Sequence, residues 1–120
     1  MKIAITTSGD SLESPPDQRF GRALNFLLYN EDDDTFVVMN NSQNFNASSG
    51  AGAQAAQNIV NAGAEILITG HCGPNAFRVL GEAGVKVYTT DAPTVAEAIR
   101  MYRENKLTPM DSADVRGHWA

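Results

Sequence analysis

Hydrophobic positions in this chain come in short runs whose period changes along its length. Residues 2–7, "KIAITT", are β-formers ending in small hydroxyl residues, the pattern of a buried strand that feeds a loop. "SGDSLESPPDQRFGR" follows with prolines, glycines and charges but no helical period, so it reads as a long loop, and loops of that length usually carry function. "ALNFLLYNEDDDTFVVMNN" places two apolar runs around an acidic turn at residues 30–34, which predicts a β-hairpin. Beyond a second polar loop, "SQNFNASSGAG", the segment "AQAAQNIVNAG" sets Ala55, Ile59 and Ala62 on one helical face. Ala56 and Val60 lie beside that face, and Gly63 stands at the expected C-terminal stop.

"AEILITG" is uninterrupted, as a strand covered on both faces of an α/β sheet should be, and it is the expected centre of the domain. Pro74 suits the first turn of a short helix whose stripe is Phe77 and Leu80, and "VKVYTT" predicts a fifth strand. Asp91 is the expected cap of a last helix begun by Pro93, with Val95, Ala98, Ile99 and Tyr102 facing inward. Residues 106–120 read as a surface tail in which Trp119 finds an apolar anchorage. The order is β-β-β-α-β-α-β-α, an α/β domain with a mixed sheet and helices on its faces, and one domain is expected over residues 1–120.

Composition narrows the function. A chain of 120 residues with 42% hydrophobic content suits one core. A net charge of -5 and only nine Lys and Arg, spread along the chain, exclude a nucleic-acid binder, which needs clustered cations. One cysteine forms no internal disulfide, the N-terminal apolar run is too short for a signal-peptide core, and no run reaches membrane-spanning length. A cytoplasmic protein with no membrane partner is the expectation.

In such sheets ligands bind beyond the carboxyl ends of the parallel strands, where loops meet helix N-termini. Loops 7–9, 48–52, 70–75 and 89–91 fall at that edge, and their small polar residues suit a backbone cradle for an anion. Residues 71–78, "HCGPNAFR", match the His-Cys-x5-Arg spacing of cysteine-dependent phosphatases, in which a thiolate attacks phosphorus and the arginine clamps its oxygens. Against that reading, Pro74 deletes one of the consecutive N–H donors, and Val79 stands where a hydroxyl would assist the leaving thiolate. The same stretch offers a soft thiolate beside an imidazole, suited to a metal or a metal-sulfide cluster, and a lone Cys also serves as a small buried hydrophobe. One Cys and two His do not make a closed zinc site. "TTSGDS" is similar to a flavodoxin-type phosphate loop, but "LESPPDQ" blocks the helix such a loop enters. "DQRFGR" sets Arg19 and Arg22 around Phe20 and Gly21, either as cations near the same edge or as a solvated loop with an aromatic plug.

Together "DQRFGRA", "SSGAGAQAAQNIVNAGAEILITGHCGPNAFRVLGEAGVKVY" and the closing "GHW" resemble the dinitrogenase iron-molybdenum cofactor biosynthesis family, of nitrogenase accessory protein type. "HCGPNA" and the stand-alone length look most like its orange protein branch. The resemblance implies a ribonuclease H-like three-layer α/β/α fold with a five-stranded mixed sheet whose second strand is antiparallel. It implies non-catalytic binding or carriage of a molybdenum-containing metal-sulfide cluster: a molybdenum-copper sulfide for this branch, with an iron-molybdenum cofactor precursor as the alternative. P-loop ATPases are partners it suggests, and a protein-interaction module that holds no cluster stands beside the phosphatase as the other alternative. Some relatives carry a histidine near the G-x-G helix entry, and "NASSGAG" has none. The expected anion cradle is then Thr7, Ser8, Gly21, Ser49, Gly50, Gly52, Gly70, Gly73, Asn75 and Thr90, with Arg19 and Arg22 supplying charge. Cys72 and His71 are expected nearest the metals.

Overall fold

A computed structural model of the chain describes residues 1–41 and 50–111. β1 (Lys2–Thr7) pairs antiparallel with β2 (Asn25–Asn30), and an acidic turn returns the chain as β3 (Thr35–Asn40). Asp34 closes that turn at φ 57, a left-handed conformation that short polar side chains tolerate. β4 (Ala64–Thr69) runs parallel to β1, and β5 (Lys86–Thr89) parallel to β4. The hairpin and the central position of β4 are as the apolar runs predict.

The expectation of five strands with one antiparallel is corrected. Among the described residues the sheet has six strands in the order β3-β2-β1-β4-β5-β6, and β6 (Thr108–Pro109) pairs antiparallel with β5. Both β2 and β6 therefore run against the other four. Two residues cannot display an alternation, so β6 has no sequence signature, and Pro109 is admissible because it lies on an outer edge. Part of the expected tail is thus an edge strand. Residues 112–120, with Trp119, lie outside the described residues.

Successive β1 side chains point to opposite faces, which divides the core in two. Ala4, Phe26, Leu28 and Leu67 meet α1 (Ala51–Asn61) and α2 (Pro74–Glu82) through Ala55, Ala56, Ile59, Ala76 and Leu80. Ile3, Ile5, Ile66 and Ile68 meet α3 (Val95–Arg103) through Val95, Ala98 and Ile99 on the other face. Small Ala55 and Ala56 let α1 lie close to the sheet. The cap of α3 is Thr94, not Asp91, and the helix starts after Pro93. Thr94 Oγ1 accepts the Glu97 N–H at 3.1 Å, whereas the Thr90 hydroxyl takes the Ala92 N–H and holds residues 90–92 as a turn. Thr94 and Glu97 have the spacing of a capping box, so this signal was present in the chain. No helix among the described residues is long and apolar enough to cross a membrane.

Candidate functional site

Parallel β1, β4 and β5 end at Thr7, Thr69 and Thr89 on one edge of the sheet. Two residues separate α1 from β4, so the N-terminus of α1 lies at this edge, and α2 departs from it. Most hydroxyls here turn inward. Thr6 Oγ1 donates to the Asp17 carbonyl at 2.7 Å and shares a hydrogen bond with Thr69 Oγ1 at 2.9 Å. Thr7 Oγ1 donates to Pro15 O at 2.9 Å and accepts the Gly9 N–H at 3.1 Å. Thr7 and Thr90, expected to touch a cofactor, are both buried and hold backbone instead. Ser8 stays exposed on the rim.

Loop 15–22 lies along this edge as an added strand segment. His71 N–H donates to Gln18 O at 2.7 Å, and Phe20 N–H donates to His71 O at 3.2 Å. The resulting parallel bridge pairs Arg19 with His71, and bridged residues share a face, so an exposed guanidinium and an exposed imidazole stand side by side. Phe20 explains why the loop holds this place: its ring is fully buried, 5.3 Å from that of Phe26, a burial worth about 2–3 kcal/mol. The aromatic plug is therefore real, and it is what directs Arg19 outward. Gly21 is buried, and Arg22 is half-buried beside it. Gly70 also serves this contact, because a Cβ there would come within 2.7 Å of Gln18 Cα. Two asparagines that pattern reading passed over fasten the loops: Asn41 Nδ2 donates to Ala23 O, and Asn25 Nδ2 donates to Gly9 O, each at 2.8 Å. A single asparagine in a polar stretch carries no signal of that role.

The helix N-termini differ in kind. Gly50 caps α1 at φ 73, where a side chain would be strained, and Gly73 caps α2 in extended conformation. Neither helix has a side-chain cap or an acid in its first turn, whereas α3 has both Thr94 and Glu97. The amides of Ala51 and Gly52 in α1, and of Asn75 and Ala76 in α2, have no partner within their own helices; Pro74 contributes none. The two helices pack against each other, so their positive dipole ends lie together at the edge that carries Arg19 and His71. Ser49 lies outside the described residues.

Cys72 points elsewhere. Its side chain is 0% exposed and packed in the core with Ala4, Phe26 and Leu80, and its Sγ lies 3.7 Å from Gly73 O. Adjacent side chains on extended backbone diverge, so His71 faces out while Cys72 faces in. Arg78 is exposed on α2. An attacking thiolate must be open to its phosphate, and this one is sealed, so the phosphatase geometry is not assembled. Among the described residues no group of three or more His, Cys, Asp or Glu could hold a metal ion. Thr90 borders a separate depression of about 350 Å³, with Asp91, Met101 and Lys106, that none of residues 50–52 or 70–75 lines. What converges is one strip: the N-terminal ends of α1 and α2, where Gly50 and Asn75 are exposed while Ala51, Gly52 and Ala76 are buried, together with Arg19 and His71. Its donors are N–H groups and the Arg19 guanidinium, a set that suits an anion rather than a bare metal ion.

A family model described as dinitrogenase iron-molybdenum cofactor matches residues 1–105. The fold is similar to that of the apo form of the orange protein from Desulfovibrio gigas, with a TM-score of 0.92, 32% identity, and 95% of this chain and 96% of that one covered. It is also similar to a Thermotoga protein of the DUF35 family, provisionally assigned as NifB, with a TM-score of 0.83, 35% identity and 97% and 98% coverage. An uncharacterized protein of Methanocaldococcus jannaschii is 29% identical over 111 residues, 89% of each chain.

Proposed function

Because the chain belongs to the dinitrogenase iron-molybdenum cofactor family, we propose that it binds and carries a molybdenum-containing metal-sulfide cluster as cargo, without transforming it. The observation that carries this reading is the pair of uncapped, acid-free helix N-termini beside Arg19 and His71. A cluster anion would be drawn to the two helix ends by their dipoles, each contributing about 0.3–1 kcal/mol, and would meet the exposed Asn75 directly, while Ala51, Gly52 and Ala76 lie buried behind it. Arg19 adds charge, with Arg22 and Ser8 at the margin, and His71 is the side chain placed to approach a metal. These local cations and dipoles offset a chain charge of -5.

A mixed molybdenum-copper sulfide is the composition we propose. Sulfide already satisfies copper(I), so a preassembled cluster of this kind needs no protein thiolate, and Cys72 packs beneath the strip instead of binding. We assign the layering to the ribonuclease H-like class on the same family ground.

The test is reconstitution with tetrathiomolybdate and a copper salt, followed by desalting, visible spectroscopy and metal analysis. The native chain should retain molybdenum, copper and a charge-transfer band, and Cys72→Ser should retain them equally. Arg19→Glu should bind about tenfold more weakly, since it replaces an attraction with a repulsion at the rim. Native protein that emerges without metal, or an Arg19→Glu variant that retains as much as native, refutes the assignment.

A further inference from the structure

β3 is the outermost strand beyond β2, and Phe36, Val37 and Val38 on it are 38%, 63% and 39% exposed. Neither core cluster includes a β3 residue apart from Met39 at its margin, so the helices on both faces stop short of this strand. Residues 35–40 contain no proline and no charge, and their register with β2 is unbroken. Those are the devices that ordinarily keep an edge strand from pairing.

The open backbone groups follow from one hydrogen bond. Asn41 N–H donates to Leu24 O at 2.8 Å, continuing the register in which Asn40 faces Asn25. Bonded pairs alternate along an antiparallel ladder, so residues 35, 37 and 39 turn their N–H and C=O toward β2. Phe36 and Val38 turn theirs outward.

We propose that this edge joins two copies of the chain, β3 against β3, in one continuous twelve-stranded sheet. A two-fold axis perpendicular to the sheet keeps each face on its own side, and an axis through Val37 sets Phe36 of each copy opposite Val38 of the other. Each of those two pairs exchanges two backbone hydrogen bonds, and Val37 meets its counterpart at the close, non-bonded spacing of about 4.5 Å between Cα atoms. The exposed apolar residues of the strand are thereby covered by one another. Charge selects a second copy over other strands. In this register Asp34 faces Asn40 of the second copy, and the two acidic turns at residues 31–34 stand about 20 Å apart, beyond a screening length of roughly 8–10 Å. A parallel arrangement would set acid beside acid, and a basic strand would find no acid on residues 35–40 to match. The inference is independent of what the strip at the carboxyl ends of the strands binds.

An interface this small belongs to the weak class, so association is to be sought between about 50 µM and 1 mM by sedimentation and by amide exchange measured with NMR. The sedimenting mass should climb toward twice that of one chain. Exchange at Phe36 and Val38 should slow about tenfold over that range, while Val37 and Met39, already bonded to β2, stay unchanged. Val37→Lys puts like charges on the axis and should abolish both effects while keeping native circular dichroism. A chain that stays monomeric with unaltered exchange at Phe36 and Val38 overturns the proposal, as does a dimer that survives Val37→Lys.

Discussion

Gly70→Ala separates two roles that a glycine at the rim of the sheet can play. The new Cβ would collide with Gln18 Oε1 and lie 2.7 Å from both Gln18 Cα and Gln18 O. The side-chain amide can rotate away, but the backbone atoms can yield only if the loop leaves the segment after β4. Keeping the loop in place means overpacking, which costs about 1–3 kcal/mol. Letting it go sacrifices the His71–Gln18 and Phe20–His71 backbone hydrogen bonds, 2.7 and 3.2 Å long, at about 0.5–1.5 kcal/mol each. Both routes lead to a loss of about 2 kcal/mol. For a domain of this size that lowers Tm by roughly 8 °C and reduces the urea midpoint with little change in slope. The assay is thermal and urea unfolding followed by circular dichroism, with metal retention measured on the same samples. Retention should fall together with stability, because the displaced loop takes Arg19 away from His71. A variant with native Tm that loses retention alone would show that Gly70 opens to the guest and not to the loop, and the steric argument would fail.

Two further outcomes follow from the termini and turns. The Tyr29 phenol is held above its usual pKa, first by the hydrogen bond it donates to Asp34 and then by burial, with the Arg103 guanidinium acting in the opposite direction. The folded chain therefore keeps a proton that the unfolded chain loses. Stability should hold below about pH 10, then fall as pH rises through the folded pKa, and Asp34→Asn should flatten that decline; equal alkaline slopes in both proteins count against this cause. Thr94→Ala should cost about 1 kcal/mol in urea unfolding while Asp91→Ala stays within about 0.5 kcal/mol, and the reverse ranking would return the cap of α3 to Asp91.

The local elements were legible because their signals are local. Alternation and apolar runs located β1 and β4, the acidic turn located the β2–β3 hairpin, and Pro74 marked the start of α2. The Thr94–Glu97 spacing was equally visible, but Asp91 before Pro93 offered a competing cap, and nothing nearby decided between them. The hydrogen bond that Thr94 Oγ1 accepts from the Glu97 N–H settles it, with residues 90–92 held as a turn before the helix by the Thr90 hydroxyl. β6 shows the opposite limit, since a two-residue strand exists because β5 offers it an edge and not because of its own composition.

The candidate site divides the same way. Small polar loops at the carboxyl edge follow from the order of elements, which chain pattern alone determines. Which residues of those loops face outward is a question of long-range contact. Thr7 and Thr90 spend their hydroxyls on backbone, Gly70 gives room to Gln18, and Cys72 is drawn into the core, while Arg19 and His71, 52 positions apart by their numbers, are set side by side. Periodicity reports the face that a side chain occupies within its own element. The direction of a loop side chain depends on what the rest of the fold packs beneath it, and here that is the buried ring of Phe20 against Phe26.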